Sequence, residues 1–388
     1  PGDLPPGSRI PFHRNALFTG RVEPLLDLAR ALFHDGASAT VVTQAIQGMG
    51  GIGKTQLAVE FAHRYGPFFH GVHWIAAAQP DLIPVEIAAC GAKMLLPEWP
   101  DEQPRQVERT LRAWQDGRSR LVILDNLERV DAAFHWLPQL AGSGVRLLLT
   151  ARRSDWPRDL ALGSLRLDLF QPAESLQFLR RYLPEGRAPD AALARLADRL
   201  GHLPLALRLA GRYLDRQARL TVDAYLEQLA QALAHPSMTG FREDLGDLSG
   251  HDLSLAASFG LSWQELTGDD TRRLFLAAGH CAPNQAIPCE LLEEAADLDQ
   301  DACDAALSIL TGLGLLEMDD PAAGPSIHPL LAEYTSTLPG AGEALSALTG
   351  ALVSLAVRAN ETLLPSSFVP LRAHVEAAIP AAEAVDPE

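Results

Sequence analysis

The residues Gly48 to Thr55 have the types and the spacing that bind phosphate groups. They run Gly-Met-Gly-Gly-Ile-Gly-Lys-Thr and fit the pattern G-x-x-x-x-G-K-[ST]. The glycines let successive backbone N–H groups curl around an anion, and a helix beginning at Lys54 adds the positive end of its dipole. We expect Lys54 to reach the β- and γ-phosphates and the Thr55 hydroxyl to bind Mg²⁺, which prefers oxygen ligands. The pattern predicts a site for ADP or ATP with Mg²⁺.

Two further side chains are candidates for the same site. Four apolar residues precede Asp125, as in a buried strand that ends in a carboxylate at a ligand crevice. We predict that Asp125 holds Mg²⁺ through water, although many strands end in Asp at a simple turn. Arg152 closes the next apolar run and could contact the γ-phosphate; the alternative is a solvated pair with Arg153.

Short apolar runs alternate with helical patterns from Leu17 to about Phe170. Nearly continuous apolar runs are typical of strands buried on both faces, and helices between them indicate a parallel sheet. The predicted strands are Thr40–Gln47, Val72–Ala76, Leu121–Asp125, Val145–Thr150 and Leu165–Leu169. After Gln171 helical spacing continues without strands until Leu315–Met318, a predicted strand that a turn returns through Ser326 to His328.

These patterns predict an α/β P-loop NTPase domain, then an all-α helical domain, then a winged-helix domain. A capping box at Thr267 and Asp270 is predicted to begin one helix of the last. The predicted divisions are a linker at 1–15, the P-loop domain at 16–170, the helical domain at 171–248, the winged helix at 249–340 and the start of a C-terminal helical or repeat region at 341–388.

Charge and composition exclude several classes of protein. The 32 basic and 49 acidic residues leave a net charge of −17, the opposite of a nucleic-acid-binding footprint. Four cysteines without a Cys-x-x-Cys pair make a disulfide framework or a zinc site improbable and favour a reducing cytoplasm. No apolar run is long enough to predict a membrane span. Lysine occurs only as Lys54 and Lys93, against 30 arginines, so each retained lysine is informative.

The motifs together resemble the NB-ARC family of STAND-class P-loop ATPases. Leu17–Glu23 is similar to the family's hhGRxxE entry motif, and Gly48–Ala58 to its GMGGIGKTxLA motif. Leu147–Arg152 resembles its strand ending in T-T-R, and Gly201–Leu207 its GLPLAL motif. Ile327-His328-Pro329 stands at its Met-His-Asp motif. The resemblance implies nucleotide contacts from Phe18, Arg21, Gly48, Met49, Gly50, Gly51, Ile52, Gly53, Lys54, Thr55, Gln56, Pro204 and His328.

Two positions depart from the family pattern. Asn126 follows Asp125 where the family often has a second acid, and an amide cannot act as a general base. Efficient hydrolysis is therefore not expected unless Glu128 substitutes. Pro329 replaces the acid of the Met-His-Asp motif, so only His328 carries over. Pro204 before a helix and a lone histidine beside a hairpin also have ordinary structural explanations.

The resemblance implies an ADP/ATP-operated switch that is closed with ADP and opens and self-associates with ATP and Mg²⁺. An effector before this sequence and a sensor after it are expected as further parts. A fast-turnover ATPase and an ATP-dependent transcriptional regulator with its DNA-binding domain elsewhere are the alternatives. The predicted winged helix does not favour DNA binding, because residues 269–335 hold two basic and thirteen acidic residues.

Overall fold

The computed structural model describes residues 3–33, 42–47, 51–142, 144–153, 155–234, 259–260, 262–266, 268–318, 320–361 and 368–385. The chain divides into two compact units, Pro1–Asp168 and Leu169–Glu388. Among the described residues, no helix combines the length and the apolar character needed to cross a bilayer.

The first unit is built on a five-stranded sheet in the order β2-β3-β4-β1-β5. Each neighbouring pair of strands is parallel. The strands are β1 (Val42–Gln47), β2 (Gly71–Ala76), β3 (Arg120–Asp125), β4 (Val145–Ala151) and β5 (Gly163–Arg166). Every residue of β3 is buried, as its apolar run predicts. The predicted parallel α/β class is confirmed.

Helices cover this sheet and supply the crossovers that parallel strands require. They are α1 (Val22–Phe33), α2 (Lys54–Tyr65), α3 (Ile83–Lys93), α4 (Gln103–Trp114) and α5 (Val130–Leu140). One buried cluster joins Ile87 of α3, Trp114 of α4 and Trp136 of α5 to Val122 and Leu147 of the sheet. The helix that begins at Lys54 is anchored by its own buried residues, including Leu57, Ala58 and Phe61.

Strand β5 lies earlier in the chain than the predicted Leu165–Leu169. It pairs with Gln44–Gln47, and its partner β1 ends there. The Leu167 N–H donates to the Gln47 carbonyl at 2.8 Å, after which the pairing stops. The prediction extended β5 too far because it followed the apolar residues beyond Arg166. The strand ends where its partner β1 ends, since a strand needs the backbone groups of a neighbour to pair with.

The opening residues, predicted to be a linker, run beside the edge strand β2. Arg9 forms a parallel bridge with His73. The Arg9 N–H donates to the Val72 carbonyl at 2.8 Å, and the Trp74 N–H donates to the Arg9 carbonyl at 2.9 Å. These bonds satisfy backbone groups of an edge that is otherwise open to solvent.

The second unit is helical. Among the described residues, the helices with defined bounds are α6 (Pro172–Arg180), α7 (Asp190–Arg199), α8 (Pro204–Arg216), α9 (Val222–Ala234), α10 (Asp269–Gly279), α11 (Cys289–Ala296), α12 (Gln300–Leu313), α13 (Pro329–Thr335), α14 (Ala341–Glu361) and α15 (Val369–Val385). Helix α6 begins with a capping box in which the Gln171 N–H donates to Glu174 Oε2 at 2.9 Å. The predicted capping box at Thr267 lies outside the described residues.

The predicted strand Leu315–Met318 is reduced to a single bridge. Helix α12 ends at Gly314, whose φ of 74° suits glycine. Beyond it, Glu317 and Ser326 exchange backbone hydrogen bonds of 2.9 and 2.8 Å as an isolated antiparallel bridge. The strand prediction was wrong because, among the described residues of this segment, only Glu317 and Ser326 form the hydrogen bonds of paired strands. The neighbouring Pro325 carbonyl instead accepts a hydrogen bond from the Ile287 N–H, before α11, at 2.7 Å.

Candidate functional site

The second half of the glycine-rich loop leads directly into α2. Gly48, Met49 and Gly50 lie outside the described residues. Gly51 and Gly53 have φ values of 73° and 97°, a region that other residues rarely adopt. A Cβ on Gly53 would meet no atom within 4 Å, so backbone conformation and not crowding requires glycine there. The N–H groups of the first turn of α2 have no carbonyl partner within the helix, which makes this end a suitable anion site.

Lys54 is buried at the start of α2, with 7% of its surface exposed. Burial lowers the pKa of Lys54 from 10.5 to about 8; Arg152 adds to this effect, while Glu128 and Asp125 oppose it. An anion beside the ammonium would favour the charged form and raise this pKa. The cation predicted to bind phosphate is therefore held in a place where a phosphate would stabilise it.

Asp125 accepts hydrogen bonds from two hydroxyl groups at the carboxyl edge of the sheet. Thr55 Oγ1 donates to Asp125 Oδ1 at 2.9 Å, and Thr150 Oγ1 donates to the same oxygen at 2.6 Å. Thr55 and Asp125 are 70 residues apart in the chain. The structure thus brings together the hydroxyl and the carboxylate that were predicted to hold Mg²⁺.

Burial raises the pKa of Asp125 above its ordinary value, although the bonds from Thr150 and Thr55 and the charge of Lys54 lower it. A buried carboxylate without a cation is costly, and a divalent cation would offset that cost. Two hard oxygen atoms side by side at a sheet edge fit Mg²⁺, which takes few protein ligands and keeps several waters.

Glu128 and Arg152 meet at the ends of β3 and β4. The backbone N–H groups of Arg152 and Arg153 donate to Glu128 Oε1 and Oε2, at 2.7 and 3.3 Å. Glu128 therefore binds the loop that carries Arg152. Asn126, at the position of the second family acid, has a φ of 59°, and its N–H donates to Thr150 Oγ1 at 2.8 Å.

Arg21 stabilises the glycine-rich loop through a backbone carbonyl. It is buried, with 7% exposed, and has a φ of 59°. Its Nη2 donates to the Ile52 carbonyl at 3.2 Å, and its Nη1 donates to the Asp168 carbonyl at 2.6 Å. The guanidinium therefore links the entry segment, residues 12–23, to the glycine-rich loop and to the chain just after β5.

The entry segment is also tied to α2. Asn15 Nδ2 donates to Gln56 Oε1 at 2.9 Å, and the guanidinium of Arg64 lies 6.0 Å from the ring centre of Phe18. Both predicted contact residues, Phe18 and Gln56, therefore lie where the entry segment packs on the helix that follows the loop.

Sequence reasoning missed Glu60 and the role of Thr150. Glu60 is 1% exposed on α2 and pairs with Arg14 Nη2 at 2.8 Å and Arg64 Nε at 2.5 Å. These arginines overcome the burial of Glu60 and lower its pKa. A glutamate among the apolar residues of α2 was the signal for Glu60, and a threonine just before the end of β4 was the signal for Thr150.

Pro204 and His328 belong to the second unit and are described within it. Pro204 is the first residue of α8. One turn later Arg208 pairs with Glu317, the residue of the antiparallel bridge. Burial favours a high pKa for Glu317, but Arg208, then His328 and Arg212, lower it below its ordinary value. The start of α8, the bridge and His328 are thus neighbours.

His328 caps helix α13. Its Nδ1 accepts the Leu330 N–H at 3.2 Å. In the neutral imidazole the proton is then on Nε2, so this nitrogen is the donor. The cap therefore makes Nε2 the donor nitrogen of the neutral ring.

Comparisons with known proteins agree with this architecture. No protein-family model matches the chain. The regulatory protein AfsR of Streptomyces griseus is 31% identical over 322 residues, which cover 78% of this chain and 30% of AfsR. A nucleotide-binding leucine-rich repeat (NLR)-like protein of Hyaloscypha variabilis is 25% identical over 323 residues, 75% of this chain and 32% of that protein. This chain thus spans about a third of these relatives.

One solved structure extends the comparison to the fold. It is a Signal Transduction ATPase with Numerous Domains (STAND) protein with a tetratricopeptide repeat sensor from Pyrococcus horikoshii. Its TM-score is 0.56 at 14% identity, covering 95% of this chain and 49% of that one. The predicted resemblance to the STAND class of P-loop ATPases, NB-ARC type, is confirmed. The likeness to the solved structure shows the fold; nucleotide binding and the roles of individual residues are proposals.

Proposed function

We propose that this chain is the nucleotide-operated switch of a STAND signalling protein, closed with ADP and opened by exchange for ATP and Mg²⁺. The observation that carries the proposal is the convergence of Lys54, Thr55 and Asp125 at the carboxyl edge of the sheet. Each is a group that a nucleoside phosphate and its metal need, and they come from two separate elements.

In this proposal, different residues of the first unit bind the phosphates, the metal and the nucleoside. The backbone of Gly51 to Thr55 and the Lys54 ammonium bind the phosphates, and Arg21 keeps the loop in shape through the Ile52 carbonyl. Thr55 and Asp125 hold Mg²⁺, which neutralises charge on the β- and γ-phosphates. Arg152, whose loop is fixed by Glu128, contacts the γ-phosphate when ATP is bound. Phe18 and Gln56 line the nucleoside end.

The second unit supplies the lid of the switch. We assign residues 171–248 to the small helical domain, 249–340 to a winged helix and 341–388 to the start of a repeat region. Helices α10 to α12 followed by the bridge at Glu317 support the winged-helix assignment. In the proposed closed state Pro204 contacts the nucleoside and His328 donates to the ADP β-phosphate.

Slow hydrolysis suits this role. Asn126 cannot accept a proton, and both oxygens of Glu128 already accept backbone N–H groups. A fast-turnover ATPase needs a positioned base or water-orienting group, and neither residue is set up to supply one. The exchange of nucleotide, and not its turnover, then controls the state, with ATP favouring self-association.

The similarity to a relative that is named a regulatory protein favours a second candidate. The same switch would then govern an ATP-dependent transcriptional regulator whose DNA-binding part lies outside this sequence. The net charge of −17 disfavours DNA contacts by this chain in either case. Binding of the native full-length protein to promoter DNA with ATP but not with ADP would favour the regulator.

Calorimetry on two variants tests the switch. We expect Lys54→Ala to weaken ADP binding by roughly tenfold or more, because a hydrogen bond to a charged group contributes about 1.5–3 kcal/mol. Asp125→Asn should spare ADP binding without metal and weaken the Mg²⁺-dependent binding of ATP. Unchanged ADP affinity in folded Lys54→Ala would contradict the phosphate site, and equal loss of both nucleotides in Asp125→Asn would contradict the metal site.

A further inference from the structure

A second cavity, of about 360 Å³, lies within the first unit. Its lining includes Gly71 and Arg120, the first residues of β2 and β3, which stand side by side in the parallel register. Thr55 and Asp125 lie at the carboxyl end of the same sheet. The cavity is therefore at the opposite edge from the nucleotide site, and its volume falls in the range of small-molecule sites.

The charge of this cavity is opposite to that of the chain. Lys93, Arg118 and Arg120 line it together with one acid, Asp116, so these groups sum to 3 − 1 = +2 in a chain of net charge −17. Lys93 is one of the two lysines of the sequence, and the nucleotide site uses only the other. His70 Nε2 lies 2.7 Å from Arg118 Nη1 and accepts a hydrogen bond from it.

Two side chains of the lining carry buried nitrogen atoms that lack a hydrogen-bond partner among the described residues. They are Nδ1 and Nε2 of His73 and Nε of Arg120. His73 is 1% exposed, and Arg120 is 3% exposed with its other nitrogens on Asp116. Buried polar atoms are nearly always bonded, and leaving them without a partner costs free energy. A polar occupant of the cavity would remove that cost.

The imidazole of His73 is held in a defined place and charge state. Its ring lies 4.9 Å from that of Trp114, and a Cβ on Gly71 would come within 2.9 Å of Nε2, so glycine leaves room for the ring. Burial, and then the charges of Arg120 and Arg9, lower the pKa of His73 to about 3. The neutral ring of this lining residue has one donor and one acceptor nitrogen.

A purely structural explanation accounts for only part of this arrangement. Lys93 lies in the last turn of α3, where a cation ordinarily stabilises the carboxyl end of a helix. The two arginines pair with Asp116, which lies 3.7 Å from Arg118 Nε and also binds Arg120. Neither role explains the partnerless nitrogens of His73. Beside the charges, Met94, Leu95 and Leu96 give the cavity an apolar wall.

We propose that this cavity binds a small organic oxyanion, a carboxylate or phosphate on a compact apolar body, independently of the nucleotide. Lys93 and Arg118 bind the oxyanion, and His73 hydrogen-bonds to it at the inner end. The apolar body lies on the wall formed by residues 94–96.

Isothermal titration calorimetry on the whole chain saturated with ADP tests the proposal. Benzoate and phenyl phosphate are the probes, and benzyl alcohol is the uncharged control. We expect saturable one-to-one binding of at least one anion and none of the alcohol; which anion binds more tightly identifies carboxylate or phosphate chemistry. Binding must persist in Lys54→Ala, which separates this site from the P-loop whether or not the proposed switch is correct.

Matched variants locate the binding. Lys93→Met, which keeps most of the unbranched side chain and removes the ammonium group, should weaken anion binding by roughly tenfold or more, since it removes a charged hydrogen bond. Arg30→Met, which removes an exposed cation from α1, should change nothing. His73→Phe keeps the stacking on Trp114 and should also weaken binding, without a fall in melting temperature because two partnerless nitrogens are gone.

Loss of binding in both Lys93→Met and His73→Phe supports the site. Absence of any saturable binding to the wild-type chain overturns it, as does wild-type affinity in either variant. If His73→Phe does not fold, Lys93→Met and Arg118→Met decide together, and retention of affinity in either one overturns the proposal.

Discussion

At the scale of single residues, the proposed contact between Lys54 and a phosphate would link nucleotide binding to pH. Its pKa of about 8 in the free protein means that part of the population is neutral just above neutral pH. A bound phosphate favours the ammonium and raises this pKa, so the complex holds more protons than the free protein. If Lys54 binds the phosphate as proposed, the affinity for ADP falls as the pH rises through about 8.

We predict that ADP binding takes up protons near pH 8. The calorimetric enthalpy should depend on the ionisation enthalpy of the buffer, and the affinity should fall by up to about tenfold per pH unit above the pKa of the free protein. Lys54→Arg is the control, because arginine stays charged in this range. A buffer-independent enthalpy for the wild type would mean that Lys54 does not contact the phosphate.

At the scale of elements, Thr150 joins the ends of two neighbouring strands. Its hydroxyl donates to Asp125 of β3 at 2.6 Å and accepts the Asn126 N–H at 2.8 Å. Thr150 is fully buried, so water cannot replace these bonds. The hydroxyl fixes the turn after β3 through the Asn126 N–H. It also fixes the Asp125 carboxylate, which accepts the hydrogen bond from Thr55 of α2.

We predict that Thr150→Val lowers the free energy of unfolding by about 1–3 kcal/mol, because the substitution leaves the buried Asn126 N–H without its partner and removes one of the two hydrogen bonds to Asp125 Oδ1. Thr150→Ser, which keeps the hydroxyl and loses a methyl group, should cost less. Urea denaturation followed by circular dichroism measures both values. If the valine variant were the more stable of the two, the bridging role of the hydroxyl would be wrong.

At the scale of the whole molecule, the proposed switch requires a contact that depends on the bound nucleotide. A ligand shifts a conformational equilibrium only by its different affinities for the two states. The cap at α13 makes Nε2 of His328 the donor, and His328 neighbours Glu317 and the start of α8 within the second unit. A hydrogen bond from Nε2 to ADP would therefore favour the closed state.

We predict that His328→Asn releases ADP roughly 10- to 150-fold faster, the range expected for the loss of a hydrogen bond to a charged group. Asparagine can still cap α13, so the stability of the unit should hold while the reach of the imidazole is lost. Stopped-flow displacement of a fluorescent ADP analogue measures the rate. An unchanged rate in the folded variant would leave His328 as a helix cap alone.

The sequence by itself determined the features that depend on local spacing. The glycine-rich loop before a helix, the buried runs that form β2 to β4 and the helical character after Gln171 could all be predicted, because backbone conformation and hydrophobic periodicity are properties of neighbouring residues. The same local rules overextended β5 and predicted a strand at Leu315–Met318, since the number of ladder bonds depends on a partner strand that spacing does not specify.

Only the tertiary structure decided which distant groups meet. The bonds from Thr55 and Thr150 to Asp125 join residues 70 and 25 positions apart, and Arg21 reaches a carbonyl 147 positions away. The cavity at the opposite edge of the sheet likewise combines the starts of two strands with the end of α3. Such contacts arise from the order β2-β3-β4-β1-β5 and from burial, which a one-dimensional pattern does not contain, and burial is also what moves the pKa values of Lys54 and His73.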